Sequence, residues 1–153
     1  MALQMLARSP AEDENVVTML AAVRVYLCRH AEASPGDPDE LRELTAEGQR
    51  QARALGTRLA GLAEPPATVL TSPLVRARQT AEAIVAGTGA ALRLEPALAP
   101  GATVDALRRA VAGASGPVAA VGHQPDCSDI TVVLTGSDPG FAPGSMTVLH
   151  LAP

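Results

Sequence analysis

VRVYLCRHAEA, residues 23–33, sets an apolar run interrupted only by Arg24 directly against an Arg-His pair and an acid. A short apolar run of β-branched, aromatic and aliphatic residues reads as a strand buried on both faces, the kind found inside a parallel sheet. Two adjacent basic side chains at the end of such a strand need a reason to be there. In open α/β sheets, ligands bind beyond the carboxyl ends of the strands, where Arg29 and His30 would stand.

Outward from this strand, the pattern alternates helix and strand. Residues 34–40 (SPGDPDE) read as a loop on their Pro, Gly and Asp content. Between residues 45 and 62, Ala52, Leu55, Leu59 and Leu62 recur at helical spacing. Residues 67–71, after Pro65-Pro66, predict a second strand. Ser72-Pro73 matches an N-cap followed by proline at the first helical position, opening a helix that runs to about residue 86 and stops at Gly87-Thr88-Gly89. A short strand at 91–94 and a short helix at 103–111, with Leu107 and Val111 on one face, come next. Residues 117–121 (PVAAV) predict another buried strand, ending at Gly122-His123. A helix over 126–134 and a strand over 146–151 complete the pattern. Strands alternating with helices predict an α/β fold, a three-layer α/β/α sandwich around a mostly parallel sheet. Residues 1–22 read as a loose or weakly helical extension ahead of a domain spanning 23–153. Their short apolar run follows Glu12, Asp13 and Glu14, whereas a secretory signal carries basic residues there.

Composition narrows the partners. The chain has 153 residues, 47% hydrophobic and 18% charged, enough for one domain with a sizeable core. Tyr26 and Phe141 are its only aromatic residues, so it lacks the stacking platforms on which single-stranded nucleic-acid binding relies. A net charge of −4 gives no footprint for a polyanion, so any bound anion must be gripped by a local cluster. No stretch approaches the length of a membrane span. Cys28 and Cys127 are far apart, fit no metal-ligand spacing and read as reduced, buried residues of a cytoplasmic protein. A cysteine-based phosphatase needs Arg six residues after the cysteine, and Ser34 and Val133 stand there instead.

Three predicted strand ends carry unusual polar residues: Arg29-His30, Ser72 leading to Arg76, and His123. Singly, each has a bland explanation as a solvated charge or a structural histidine. Arg78, and the arginines at 50, 53 and 58, are read that way. Jointly, two His and two Arg delivered to one sheet edge suit phosphoryl transfer. Guanidinium groups present forked donors to phosphate oxygens, each charge-assisted bond contributing roughly 1.5–3 kcal/mol. Arg76 falls in the first turn of its helix, where the macrodipole disfavours a cation and a bound dianion would reverse that penalty. His30 is a plausible nucleophile, because one imidazole nitrogen is a base near neutral pH and the neighbouring arginines would hold it deprotonated.

Four segments in order, RHAEA (29–33), LTAEGQRQA (44–52), TSPLVRARQTAE (71–82) and VGHQP (121–125), resemble the histidine phosphatase, or phosphoglycerate-mutase-like, superfamily. The resemblance spans residues 23–151. It implies that His30 becomes transiently phosphorylated while Arg29, Arg76 and His123 hold the phosphate, with no cofactor and no metal. Among its branches the chain is most similar to the small SixA-type phosphohistidine phosphatases. It shares their RHAEA opening, Asp39 and Arg42 before Leu-Thr, and the closing FAPGSMTVL (141–149). Larger relatives supply a catalytic acid from a Leu-x-Glu segment and place insertions over the site. Here Leu98-Ala99-Pro100 stands in that place.

The general acid is therefore open among Glu32, Asp37 and Asp39, of which Asp39 fits the branch pattern best. Arg42 pairs with Asp39 or joins the phosphate cluster, and Ser72 is a further phosphate ligand. The implied function is removal of phosphate from protein phosphohistidine. The alternatives are a phosphatase for a small phosphoester or nucleotide, and a phosphate-binding module without turnover. The expected partner is a phosphorylated protein or small phosphorylated substrate, with no nucleic acid and no membrane, and the chain is read as a monomer.

Overall fold

A computed structural model of the chain describes residues 22–152, so nearly all of the expected 1–22 extension lies outside the described residues. Five strands, β1 (Val23–Arg29), β2 (Thr68–Thr71), β3 (Ala91–Leu94), β4 (Val118–Gly122) and β5 (Met146–Leu151), form one sheet in the order β3-β2-β4-β1-β5. All neighbours pair in parallel except β5, which runs antiparallel to β1. Helices α1 (Ala46–Ala60), α2 (Val75–Thr88), α3 (Val104–Val111) and α4 (Asp126–Thr135) connect them.

The alternation of strand side chains separates two cores. Val25, Leu27, Val118 and Ala120 face α3 and α4, packing with Leu107, Val111 and Ile130. Tyr26, Cys28, Ala119 and Val121 face α1 and α2, packing with Leu55, Leu59, Ala81 and Ile84. The expected three-layer sandwich follows from this period of two in the central strands and 3.6 in the helices. Cys28 and Cys127 are both buried free thiols, one in each core.

Local chemistry sets most helix starts. Thr45 accepts from the Gly48 amide to cap α1, and Thr103 accepts from the Ala106 amide to cap α3. Asp126, at the start of α4, accepts from the amides of Gly101 and Ala102 at 2.8 and 3.1 Å, tying the approach to α3 to the start of α4.

Helix α2 departs from the expectation. It begins at Val75, not after Ser72, its N-cap is Leu74 with no side-chain cap, and it runs on to Thr88. Ser72 accepts only a 3.3 Å contact from the Leu74 amide, because its hydroxyl is committed to a histidine on the neighbouring strand end. Two short 3-10 turns, Asp39–Leu41 and Pro96–Leu98, also went unpredicted. Among the described residues no helix is long and apolar enough to cross a membrane, and no group of three or more His, Cys, Asp or Glu is placed to hold a metal ion.

The α1–α2 contact is glycine-dependent. A Cβ on Gly56 would lie 2.7 Å from the Ala83 carbonyl oxygen, while one on Gly61 would meet nothing closer than 3.5 Å. Gly56→Ala is therefore expected to lower stability by about 1–3 kcal/mol through overpacking. Gly61→Ala should change it by less than about 0.5 kcal/mol. Urea denaturation of the two variants checks the contrast.

Candidate active site

The ladder of β4 with its two neighbours brings the three strand ends together. Arg29 pairs with Gly122, and the His30 amide donates to the Gly122 carbonyl at 3.0 Å. On the other side, the Ser72 amide donates to the Val121 carbonyl at 3.1 Å. His30, Ser72 and His123 therefore leave the sheet at one level, and the imidazole centroids of His30 and His123 lie 5.1 Å apart. Helix α2 starts three residues after Ser72 and buries Arg76 in its first turn, at 6% exposure. All four side chains singled out by the sequence thus border one place.

His30 is fixed by backbone. Its Nδ1 lies 2.7 Å from the carbonyl oxygen of Ala31, an acceptor only, so Nδ1 carries the proton and Nε2 keeps a lone pair. The Ala31 amide in turn donates to Thr80 Oγ1 at 3.0 Å, and that hydroxyl donates to the Arg76 carbonyl at 2.8 Å. The loop beyond is held by Gln51, which accepts from the Glu32 amide, and by Gln79, which accepts from the Leu44 amide, both at 2.8 Å. Thr80 and the two glutamines escaped the sequence reading. Gln79 and Thr80 had a signal, since they follow Arg76 by three and four residues and so share its helix face.

Arg29 donates through Nη1 to the Phe141 carbonyl at 2.7 Å. Its Nε and the Nδ1 of His123 are the two buried side-chain polar atoms without a partner among the described residues. Buried polar groups are almost always paired, so two orphans at adjacent strand ends mark where a ligand's acceptors belong.

Arg76 is occupied from outside the sheet. It donates through Nη1 to the Asp39 carbonyl at 2.8 Å and through Nη2 to Asp39 Oδ2 at 3.1 Å. Arg42 donates to the other carboxylate oxygen, Oδ1, at 3.0 Å and through Nε to the Ser34 carbonyl at 2.7 Å. Arg42 therefore pairs with Asp39, the first of its two expected roles, and stands behind that carboxylate. Hydrogen bonds from Arg42 and then Arg76 hold the Asp39 carboxyl below the usual carboxylate range, so it is ionised and has no proton to give in this arrangement. Glu32 accepts from the Thr45 hydroxyl at 2.9 Å on the exposed rim, and Asp37 lies exposed in the same loop. Leu98 is buried in the core, and neither it nor Ala99 and Pro100 carries an ionisable side chain.

Both imidazoles are held neutral. Burial is the first cause for each, lowering both to about 4. The Arg76 and Arg29 charges add to this at His30, as His30 and Arg76 do at His123. The expectation that the arginines help keep His30 deprotonated agrees with this, with removal from water as the larger cause. The site as a whole offers a neutral nucleophilic nitrogen beside guanidinium and imidazole donors, a set suited to a tetrahedral oxyanion.

The model of the histidine phosphatase superfamily (branch 1) matches residues 25–100, which include Arg29, His30 and Arg76. An uncharacterised protein of Picosynechococcus is 35% identical over 115 residues, 70% of each chain. The structure superposes on a candidate phosphohistidine phosphatase SixA from Nakamurella multipartitia with TM-score 0.70 and 30% identity, covering 84% of each chain. A second candidate SixA, from Agrobacterium tumefaciens, gives TM-score 0.72 and 26% identity over 86% of this chain and 98% of that one.

NMR titration of the imidazole Cε1–H signals should find His30 and His123 uncharged until pH falls to about 4. Since the unfolded chain takes up these protons nearer 6.5, the two groups should withdraw stability as pH falls from about 6.5 to about 4 and no further below. Asp39→Asn should loosen the hold on Arg76 and tighten inorganic vanadate binding. Isothermal titration calorimetry reads that change.

Proposed function

The chain belongs to the histidine phosphatase superfamily, branch 1, and from that premise we propose that this phosphatase dephosphorylates protein phosphohistidine through a phosphorylated His30. The observation that carries the reading is the pair of orphaned buried polar atoms, Arg29 Nε and His123 Nδ1, beside a histidine whose Nε2 lone pair is uncommitted.

Nε2 of His30 attacks phosphorus in line. The bond from phosphorus to the substrate imidazole breaks, its electron pair stays on that nitrogen, and the nitrogen takes a proton from solvent water at the open site. Water then attacks phospho-His30, returning the nitrogen lone pair and releasing orthophosphate. Arg29, Arg76 and His123 donate to the equatorial oxygens, where charge is spread in a loose transition state. In this reading the guanidinium groups supply the positive charge, without a metal.

Substrate class follows from what the leaving group needs. An alkoxide leaving from a phosphoester demands an acid in place, whereas Asp39 is engaged by Arg42 and Arg76, Glu32 by Thr45, Asp37 is exposed to solvent, and Leu98-Ala99-Pro100 offers none. A phosphoramidate nitrogen departs readily once protonated, so phosphohistidine relaxes that demand. The connections leaving β2 and β4 are three residues each and add no cover, so what stands beside the site is the longer β1–α1 connection that carries Asp39. Such a site suits a phosphate presented on a protein surface better than a small metabolite, which needs enclosure. The SixA likenesses support the same substrate.

The chain, given a ³²P-phosphohistidine protein and quenched in alkaline denaturant, should carry label. His30→Ala should fold, take no label and lose turnover; a labelled or active His30→Ala would end the mechanism. Turnover of phosphohistidine protein should exceed that of a panel of sugar phosphates and nucleotides, and the reverse order would replace the substrate. Arg76→Ala should weaken phosphate binding by roughly 1.5–3 kcal/mol, the value of one charge-assisted partner.

A further inference from the structure

Ser72 and His123 form a buried pair whose protons can be counted. Ser72 is 0% exposed and His123 is 3% exposed, and Ser72 Oγ lies 2.7 Å from His123 Nε2. The same oxygen accepts from the Leu74 amide at 3.3 Å. A hydroxyl has one proton to donate, and among the described residues Nε2 is the acceptor within its reach.

If Nε2 instead carried the proton, the ring would donate to Oγ, and the buried hydroxyl would hold a second donor with nowhere to go. The other ring nitrogen, Nδ1, would then present a lone pair to an incoming oxyanion, which is repulsive. With the hydroxyl donating, the Ser72 proton is directed to Nε2, and the unpartnered Nδ1 becomes an N–H donor.

We propose that Ser72 is a positioning residue: its hydroxyl donates to His123 Nε2 and locks this histidine as the Nδ1–H tautomer, a fixed neutral donor to the bound oxyanion. Ser72 then contributes to phosphate binding through His123 and not by direct contact. Protonating His123 would require the hydroxyl to turn away from Nε2, so the same bond opposes the imidazolium. In agreement, burial and the Arg76 charge already hold His123 neutral down to about 4. The two histidines of the site are thereby differentiated. Both carry the proton on Nδ1, but His30 spends it on the Ala31 carbonyl and exposes a lone pair, while His123 spends its Nε2 lone pair on Ser72 and exposes a proton. One is set to attack and the other to hold. The assignment of the tautomer stands on the pair itself; its use for phosphate rests on the phosphatase reading above.

The test is ¹⁵N NMR of the imidazoles in the full chain at neutral pH, without substrate. The chain has 3 His, so the spectrum is simple, and His123→Asn assigns the signals of residue 123. His123 should show protonated Nδ1 and unprotonated Nε2. In Ser72→Ala the proton should move toward Nε2, with the His30 pattern unchanged and tungstate binding weakened roughly tenfold, the order of one misoriented charge-assisted bond. Ser72→Thr, which keeps the hydroxyl, should keep the tautomer. A protonated Nε2 in the unaltered chain overturns the proposal whether or not the variants fold, and so does a tautomer that ignores Ser72→Ala. Failure of the phosphatase reading would show elsewhere, as absence of label on His30 with the tautomer intact.

Discussion

Strand β4 lies hydrogen-bonded between β1 and β2, and this insertion is what makes a site possible. Backbone ladders are rigid and their register is discrete, so once Arg29 pairs with Gly122 and Thr71 with Val121, the residues that follow are delivered to one level. The chain reaches β2 and β3 before it returns to fill the middle of the sheet. Segments remote in sequence are thereby placed side by side by main-chain bonds that do not depend on the catalytic side chains at all. The chemistry is an addition to a scaffold whose cores, on the two faces, are aliphatic and alanine-rich.

On that scaffold the charges are arranged to cancel until a ligand comes. The protein is acidic overall, yet Arg29 and Arg76 stand at the same sheet edge, each given a carbonyl to hold and, for Arg76, the Asp39 carboxylate. Cations at a helix start are unfavourable, and Asp39 offsets that cost. The histidines are spared charge altogether, chiefly by burial. A nucleophile is kept unprotonated by excluding water, and the arginines are left for binding. That division of labour explains how one small pocket holds both a base and its cationic surroundings.

Much of this was legible in the sequence, and for physical reasons. Period-two and 3.6 patterns are local, so strands and helices could be placed to within a few residues, and the strand-end rule then gathered Arg29, His30, Arg76 and His123. What escaped were interactions between segments. Ser72-Pro73 is a good helix start by local chemistry, but a 2.7 Å bond to His123 claims the hydroxyl and the helix begins at Val75. Spacing tied Asp39 to Arg42 and could not show that the carboxylate also reaches Arg76, 37 positions away. Thr80 reads as an ordinary helix residue until its hydroxyl is seen under the Ala31 amide.

The corner that carries Arg29 and His30 is finished by a segment far downstream. Arg29 reaches the Phe141 carbonyl across 112 positions, and the Gly144 amide lies 3.2 Å from both the Arg29 and His30 carbonyls. Gly144 has φ +74, and a Cβ there would lie 3.0 Å from the Gln51 side chain, so its place in the corner is close-fitting. A chain still emerging from the ribosome, or clipped before this loop, therefore displays the whole Arg-His motif without the corner that shapes it. Competence waits on a segment 112 positions downstream of the motif it completes.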